Sequence, residues 1–115
     1  MARNNILAID NGTQSVRALL FTPAGDMIAK IRVIYEPYFS DHPGWAEQHA
    51  EVFWENVCRA CKELLALPEV DVDTIAGVTL TTQRSTLINL DKNMQPLRPV
   101  MHWLDQRMAT KFKKV

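Results

Sequence analysis

The sequence predicts an α/β fold on a mixed sheet: an antiparallel three-strand meander, a helix, a fourth strand parallel to the first, and then a hairpin. Three observations predict it. Residues 6–9 (ILAI) and 75–81 (IAGVTLT) are short unbroken apolar runs of the kind that form strands buried on both faces, and each ends abruptly in polar residues. Two tight turn signals follow the first run, each leading into another strand-like stretch. A single amphipathic stretch precedes the second run, and a strand that returns after a helix pairs parallel to its predecessor through a crossover.

The first run ends on Asp10, and Asn11, Gly12 and Thr13 make the turn, where glycine supplies permissive backbone angles and no Cβ. Residues 15–22 form the second strand. Thr22-Pro23-Ala24-Gly25-Asp26 places Pro and Gly where a reverse turn wants them, and residues 27–35 form the third, with Ala29, Ile31, Val33 and Tyr35 on one side and Lys30 and Arg32 on the other. Two prolines and a glycine make 36–45 a loop pinned by Tyr38, Phe39 and Trp45. The helix runs over 49–67, with Phe53, Val57, Ala60 or Cys61, and Leu64 at three- and four-residue spacing, a Glu55–Arg59 pair on its outer face, and Pro68 as its stop. Residues 85–90 and 97–100 flank an Asp91-Lys92-Asn93 turn as a hairpin, and a helix-like segment closes the chain.

With 115 residues the chain holds one core, and 13 basic against 13 acidic residues give no net charge to recruit nucleic acid or an anionic membrane. The two cysteines, Cys58 and Cys61, lie inside the helix without the further ligands zinc needs or the helix N-terminus a redox pair needs, so they read as core residues. No signal-like or membrane-length apolar run occurs, which points to the cytoplasm.

Three polar clusters carry the chemistry. The turn after Asp10 suits phosphate: a residue without a side chain permits close approach, successive N–H groups form an anion-binding concavity, and Thr13, Gln14 and Ser15 add short donors. Asp10 would face Mg²⁺, which takes one or two carboxylates and bridges to phosphates. A plain Asp-Asn-Gly hairpin is the alternative reading. The parallel strand brings Thr82, Gln83, Arg84 and Ser85 to the same rim, where open α/β sheets bind ligands. Arg84 offers a planar fork of donors for hydroxyls or a phosphoryl group; the alternative is an exposed arginine at a strand end. Finally, HWLDQR sets Trp103, Asp105 and Arg107 at alternate positions. An aromatic face with charged donors and acceptors suits a polyol, whereas a helix N-terminus with Trp103 in the core is the alternative.

DNGTQSVRALLF, PGWAEQHAEVFW, TTQRST and HWLDQR, standing in this order, resemble the N-terminal region of FGGY-family carbohydrate kinases. The resemblance implies a ribonuclease-H-like fold of the actin-like ATPase superfamily and ATP-dependent transfer of the γ-phosphoryl group to a sugar or polyol hydroxyl. It casts Asp10 as the acid orienting Mg²⁺, Gly12, Thr13, Gln14, Ser15 and Arg17 as the ATP-phosphate set, and Arg84, Ser85, Trp103 and Asp105 as the sugar-binding set. Ser85 departs from the glutamate of glycerol kinases, and Asp105 matches the W-x-D-x-R of xylulokinase-like members, which favours a pentose, pentulose or related polyol over glycerol. The resemblance covers about the first quarter of such a kinase, with the aspartate base beyond Val115. It implies that residues 1–115 form a partial N-terminal domain without its second domain, inactive alone and prone to self-association through an uncovered sheet edge or apolar faces. Another actin-like ATPase domain, or a non-catalytic nucleotide-binding or assembly module, is the alternative.

Overall fold

Alternation of apolar and polar residues organises the sheet. The computed structural model describes residues 2–107 and 109; the closing helix expected after Arg107 falls largely on residues 108 and 110–115, outside the described residues. Strands β1 (Asn5–Asn11), β2 (Ser15–Phe21) and β3 (Met27–Ile34) form the antiparallel meander. After a two-residue strand β4 (Glu47–Gln48) and helix α1 (Ala50–Leu65), strand β5 (Ile75–Thr82) pairs parallel to β1, giving the order β3-β2-β1-β5. A second two-residue strand, β6 (Val100–Met101), pairs with β4 in a separate ladder.

The register sets Leu7 and Ile9 beside Leu20 and Ala18, and these beside Ala29 and Ile31, so one face of the meander is apolar. Helix α1 covers that face with Phe53, Ala60 and Leu64, and Val57 and Cys61 pack at its margin. Leu20, Val16 and Leu64 are fully buried, and truncating such a leucine to alanine costs about 2–5 kcal/mol. The helix ends at the residues before Pro68, as its sequence requires. Its outer ion pair is Arg59 with Glu63 at 2.9 Å rather than with Glu55.

Burial on both faces holds for neither apolar run. Ile6 on β1 is partly exposed, and on β5 Val78 and Leu80 are 62% and 61% exposed. The register places these two on the same face as Leu7 and Ile9, but α1 lies over the meander and leaves them uncovered. Ile75, at the start of β5, is buried in the core with Ala60 and Leu64.

The hairpin is present as bridges rather than regular strands. Leu90 pairs with Pro96 and Leu87 with Met101, and Asp91 Oδ1 accepts the backbone N–H groups of Asn93 (2.7 Å) and Gln95 (2.9 Å) to fix the turn.

Candidate functional site

The turn between β1 and β2 is closed by Gly12 N–H donating to the Ser15 carbonyl at 3.0 Å. A Cβ at Gly12 would stand 3.0 Å from that carbonyl oxygen, so any other residue would push the turn open by a few tenths of an ångström and glycine suits the close approach; its φ is not in the left-handed region, and the permissive angles expected of it are not used. Tyr35 fastens the turn from β3: its N–H donates to the Gln14 carbonyl at 3.0 Å and its hydroxyl to the Gly12 carbonyl. Burial, and then the nearby Asp10 charge, push the Tyr35 hydroxyl up to about 12, so it stays a donor.

On the sheet face away from α1, the register aligns Arg32, Arg17, Asp10 and Thr81 in one row across all four strands. Arg17 donates to Asp10 Oδ2 at 3.2 Å, and both side chains remain 43% exposed. Arg32 donates to the Ser15 hydroxyl at 3.3 Å, so Ser15, which is buried, is held by the sheet. Two guanidinium groups thus lie to one side of one carboxylate just below the turn, Arg17 beside it and Arg32 one strand further. That donor set fits a magnesium–phosphate group, where a single exposed acid suffices and cationic neighbours hold phosphate oxygens. Among the described residues no group of three His, Cys, Asp or Glu could hold a metal by protein ligands alone.

Strand β5 carries its polar end to the same rim. Gln83 N–H donates to the Asn11 carbonyl at 3.2 Å, extending the parallel ladder by one residue. The Thr13 hydroxyl donates to Gln83 Oε1 at 3.1 Å and accepts the Trp103 indole N–H at 3.0 Å. Thr13, Gln83, Arg84, Ser85 and Trp103 therefore line one open cleft of about 450 Å³. Trp103 is 50% exposed, which removes its alternative reading as a core residue. Its ring leans on His102, which is buried, stacks against Tyr38, and accepts the Leu104 N–H on Nδ1 at 3.2 Å. Burial lowers the His102 pKa, keeping the imidazole neutral behind the wall.

Asp105 stands apart from this cleft. Its side chain is 2% exposed and accepts Ala46 N–H (2.8 Å), Arg107 N–H (3.0 Å) and a bidentate fork from the Arg107 guanidinium at 2.8 and 2.7 Å. The Arg107 hydrogen bond is the main reason the carboxyl is lowered to about 2, with the two backbone N–H groups adding to it against the effect of burial. Arg107 also lies over the Trp45 ring and, at 3.4 Å, beside buried Glu47, which Arg98 engages at 2.6 Å. Across the β4–β6 ladder this network ties Trp45-Ala46-Glu47 to the segment carrying Trp103.

The N-terminal domain description of the FGGY family of carbohydrate kinases matches residues 5–115. The chain belongs to this family. A glycerol kinase from Rippkaea orientalis is 35% identical over 106 residues, covering 91% of this chain and 21% of that protein. A xyloylose kinase structure from Brucella ovis superposes with a TM-score of 0.88 at 27% identity over 96% of this chain and 23% of that one, and a xylulose kinase from Rhodospirillum rubrum with 0.85 at 26% over 97% and 24%. The chain spans about a fifth of the length of the curated relatives it matches. The fold is that of the actin-like ATPases.

In this FGGY chain, sequence reasoning missed Arg32, Tyr35, Gln48 and the side-chain role of Gln83. Gln48 is buried and donates to the carbonyls of Glu36 (2.7 Å) and Thr13 (3.5 Å), holding the turn from below. The signal for Arg32 was its alternation with Ala29, Ile31 and Val33, which put it on the polar face; Tyr35 and Gln48 gave none, because their partners are backbone carbonyls.

Proposed function

We propose that residues 1–115 supply the first phosphate turn and the acceptor wall of an ATP-dependent carbohydrate kinase that phosphorylates a sugar or polyol hydroxyl. The observation carrying this reading is the single cleft shared by Thr13 of the turn with Arg84, Ser85 and Trp103, on the rim that also holds Asp10 and Arg17. Phosphoryl transfer asks mainly for positioning and charge neutralisation, and the parts present offer both. In the turn of Gly12, Thr13, Gln14 and Ser15, where the Gly12 N–H closes the turn and Ser15 is held by Arg32, the backbone N–H groups of Thr13 and Gln14, with Arg17, hold phosphate oxygens. Arg84 and Ser85 hold acceptor hydroxyls, and the half-exposed face of Trp103 takes the C–H side of the sugar. Mg²⁺, when bound beside Asp10, offsets the negative charge of the phosphoryl oxygens. Asp105 serves the acceptor indirectly: its carboxylate is taken up by Arg107 and Ala46, so it sets the position of Trp103 two residues away.

The chain's share of its relatives' length supports a further reading, that these residues form one part of the N-terminal domain and give no turnover by themselves. Titration of the purified chain with a panel of sugars and polyols, followed by NMR, tests the acceptor assignment. The Trp103 indole and Arg84 guanidinium signals are expected to move with at least one of them, and invariance of both across the panel would overturn it. Sugar-dependent ADP release by the 115 residues would overturn the inactivity.

A further inference from the structure

Behind the Gln83 side chain lies a second, smaller cleft of about 180 Å³, lined by Asn11, Phe53, Thr82, Gln83, Thr86 and Ile88. Among the described residues Gln83 is the side chain common to this cleft and to the one of about 450 Å³ that carries Arg84 and Trp103. The wall between them is held in place twice. Its backbone is fixed by the hydrogen bond to Asn11, and its carboxamide is pinned over the turn by the Thr13 hydroxyl, itself held by the Trp103 indole. Between residues 81 and 85 it is also the one residue that is half-buried, the others being exposed. Polar groups from Asn11, Thr82 and Thr86 share the smaller cleft with the apolar Phe53 and Ile88, a lining that suits the alternating C–H and hydroxyl surface of a carbohydrate chain.

We infer that Gln83 limits the length of the acceptor. The bulk of this side chain, at the boundary the two clefts share, confines the acceptor to the cleft of Arg84 and Trp103. Shortening this side chain joins the two spaces and admits additional CHOH units toward Asn11 and Thr86. The inference rests on the acceptor reading of the larger cleft and adds to it the residue that sets substrate size.

The test uses the 115-residue chain, with glycerol, a five-carbon alditol and a seven-carbon alditol as probes in NMR titrations. Gln83→Ala is expected to raise the affinity for the seven-carbon alditol relative to that for glycerol about ten-fold, about 1.4 kcal/mol. Gln83→Leu, which keeps the bulk and loses the carboxamide, is expected to keep the wild-type length profile. Both variants retain the backbone N–H that bonds Asn11, and their amide spectra report whether they fold. If Gln83→Ala folds and keeps the wild-type profile, or if Gln83→Leu relaxes it to the same extent as Gln83→Ala, the inference is overturned while the acceptor reading stands. If the unsubstituted chain binds none of the three probes, the acceptor reading fails and takes the inference with it.

Discussion

Trp103 donates its indole N–H to the Thr13 hydroxyl at 3.0 Å across 90 residues of sequence. The bond joins the turn assigned to phosphate with the wall assigned to the acceptor, and the same hydroxyl continues to Gln83. Thr13→Val keeps the shape and removes both bonds. It is expected to cost about 1 kcal/mol in thermal or urea denaturation and to shift the Trp103 indole N–H resonance toward that of a free indole.

Asp10 and Arg84 occupy different parts of the rim, so their losses should separate. Asp10→Asn is expected to weaken magnesium pyrophosphate binding at least ten-fold while sparing sugars. Arg84→Ala is expected to weaken the acceptor by about 1.5–3 kcal/mol, the range for hydrogen bonds to a charged group, with little effect on pyrophosphate. Calorimetric or NMR titration of both ligands against both variants checks the separation.

Asp105 is lowered from its ordinary 3.8 to about 2 in the folded chain. Its contribution to stability is therefore complete above about pH 4 and is lost as pH falls from there toward 2. Asp105→Asn is expected to lower stability at pH 7 by about 2–3 kcal/mol, somewhat less than breaking a fully buried pair, because Arg107 keeps Glu47. The variant's stability should also fall less steeply between pH 4 and 2, as read by denaturant midpoints.

Tyr35 carries the opposite sign. Its hydroxyl is raised from 10 to about 12, so the neutral form is favoured by folding, and this contribution is complete below pH 10 and declines as pH rises toward 12. Tyr35→Phe loses the bond to the Gly12 carbonyl, about 1 kcal/mol at pH 7, and with it this part of the alkaline slope. Denaturation at pH 9, 10 and 11 distinguishes the two chains.

The exposed Val78 and Leu80 continue the apolar face of the sheet past the reach of α1, and β5 is an edge strand. Unpaired strand edges with apolar faces promote association. Sizing over a hundred-fold concentration range is expected to show oligomers, and Leu80→Lys to reduce them; a monomer at every concentration would refute self-association.

The third strand and the helix were legible from local periodicity, with Ala29 and Val33, and Phe53, Ala60 and Leu64, declaring their buried side by spacing; the parallel pairing followed from the crossover after the helix, and the run holding Leu7 and Ile9 announced a strand without saying which side is buried. The meeting of the turn with Arg84 followed from parallel pairing of β1 and β5. What stayed hidden depends on side chains meeting far apart in sequence. Nothing near Glu47 announces Arg98 and Arg107 as its partners, and Asp105 reads as a free acid until Arg107 and Ala46 are seen to enclose it. The exposure of Val78 and Leu80 was equally unreadable, since an apolar strand looks the same in sequence whether or not a neighbouring layer covers it.

The β4–β6 ladder has a consequence in time. The turns of the meander close over a few residues, whereas Ala46 and Asp105 must find each other across 59, and a longer excursion loses more chain entropy on closing. The wall bearing Trp103 thus forms later than the meander and yields before it. Warming should release that indole into water while the amides of β1 and β2 still resist hydrogen exchange.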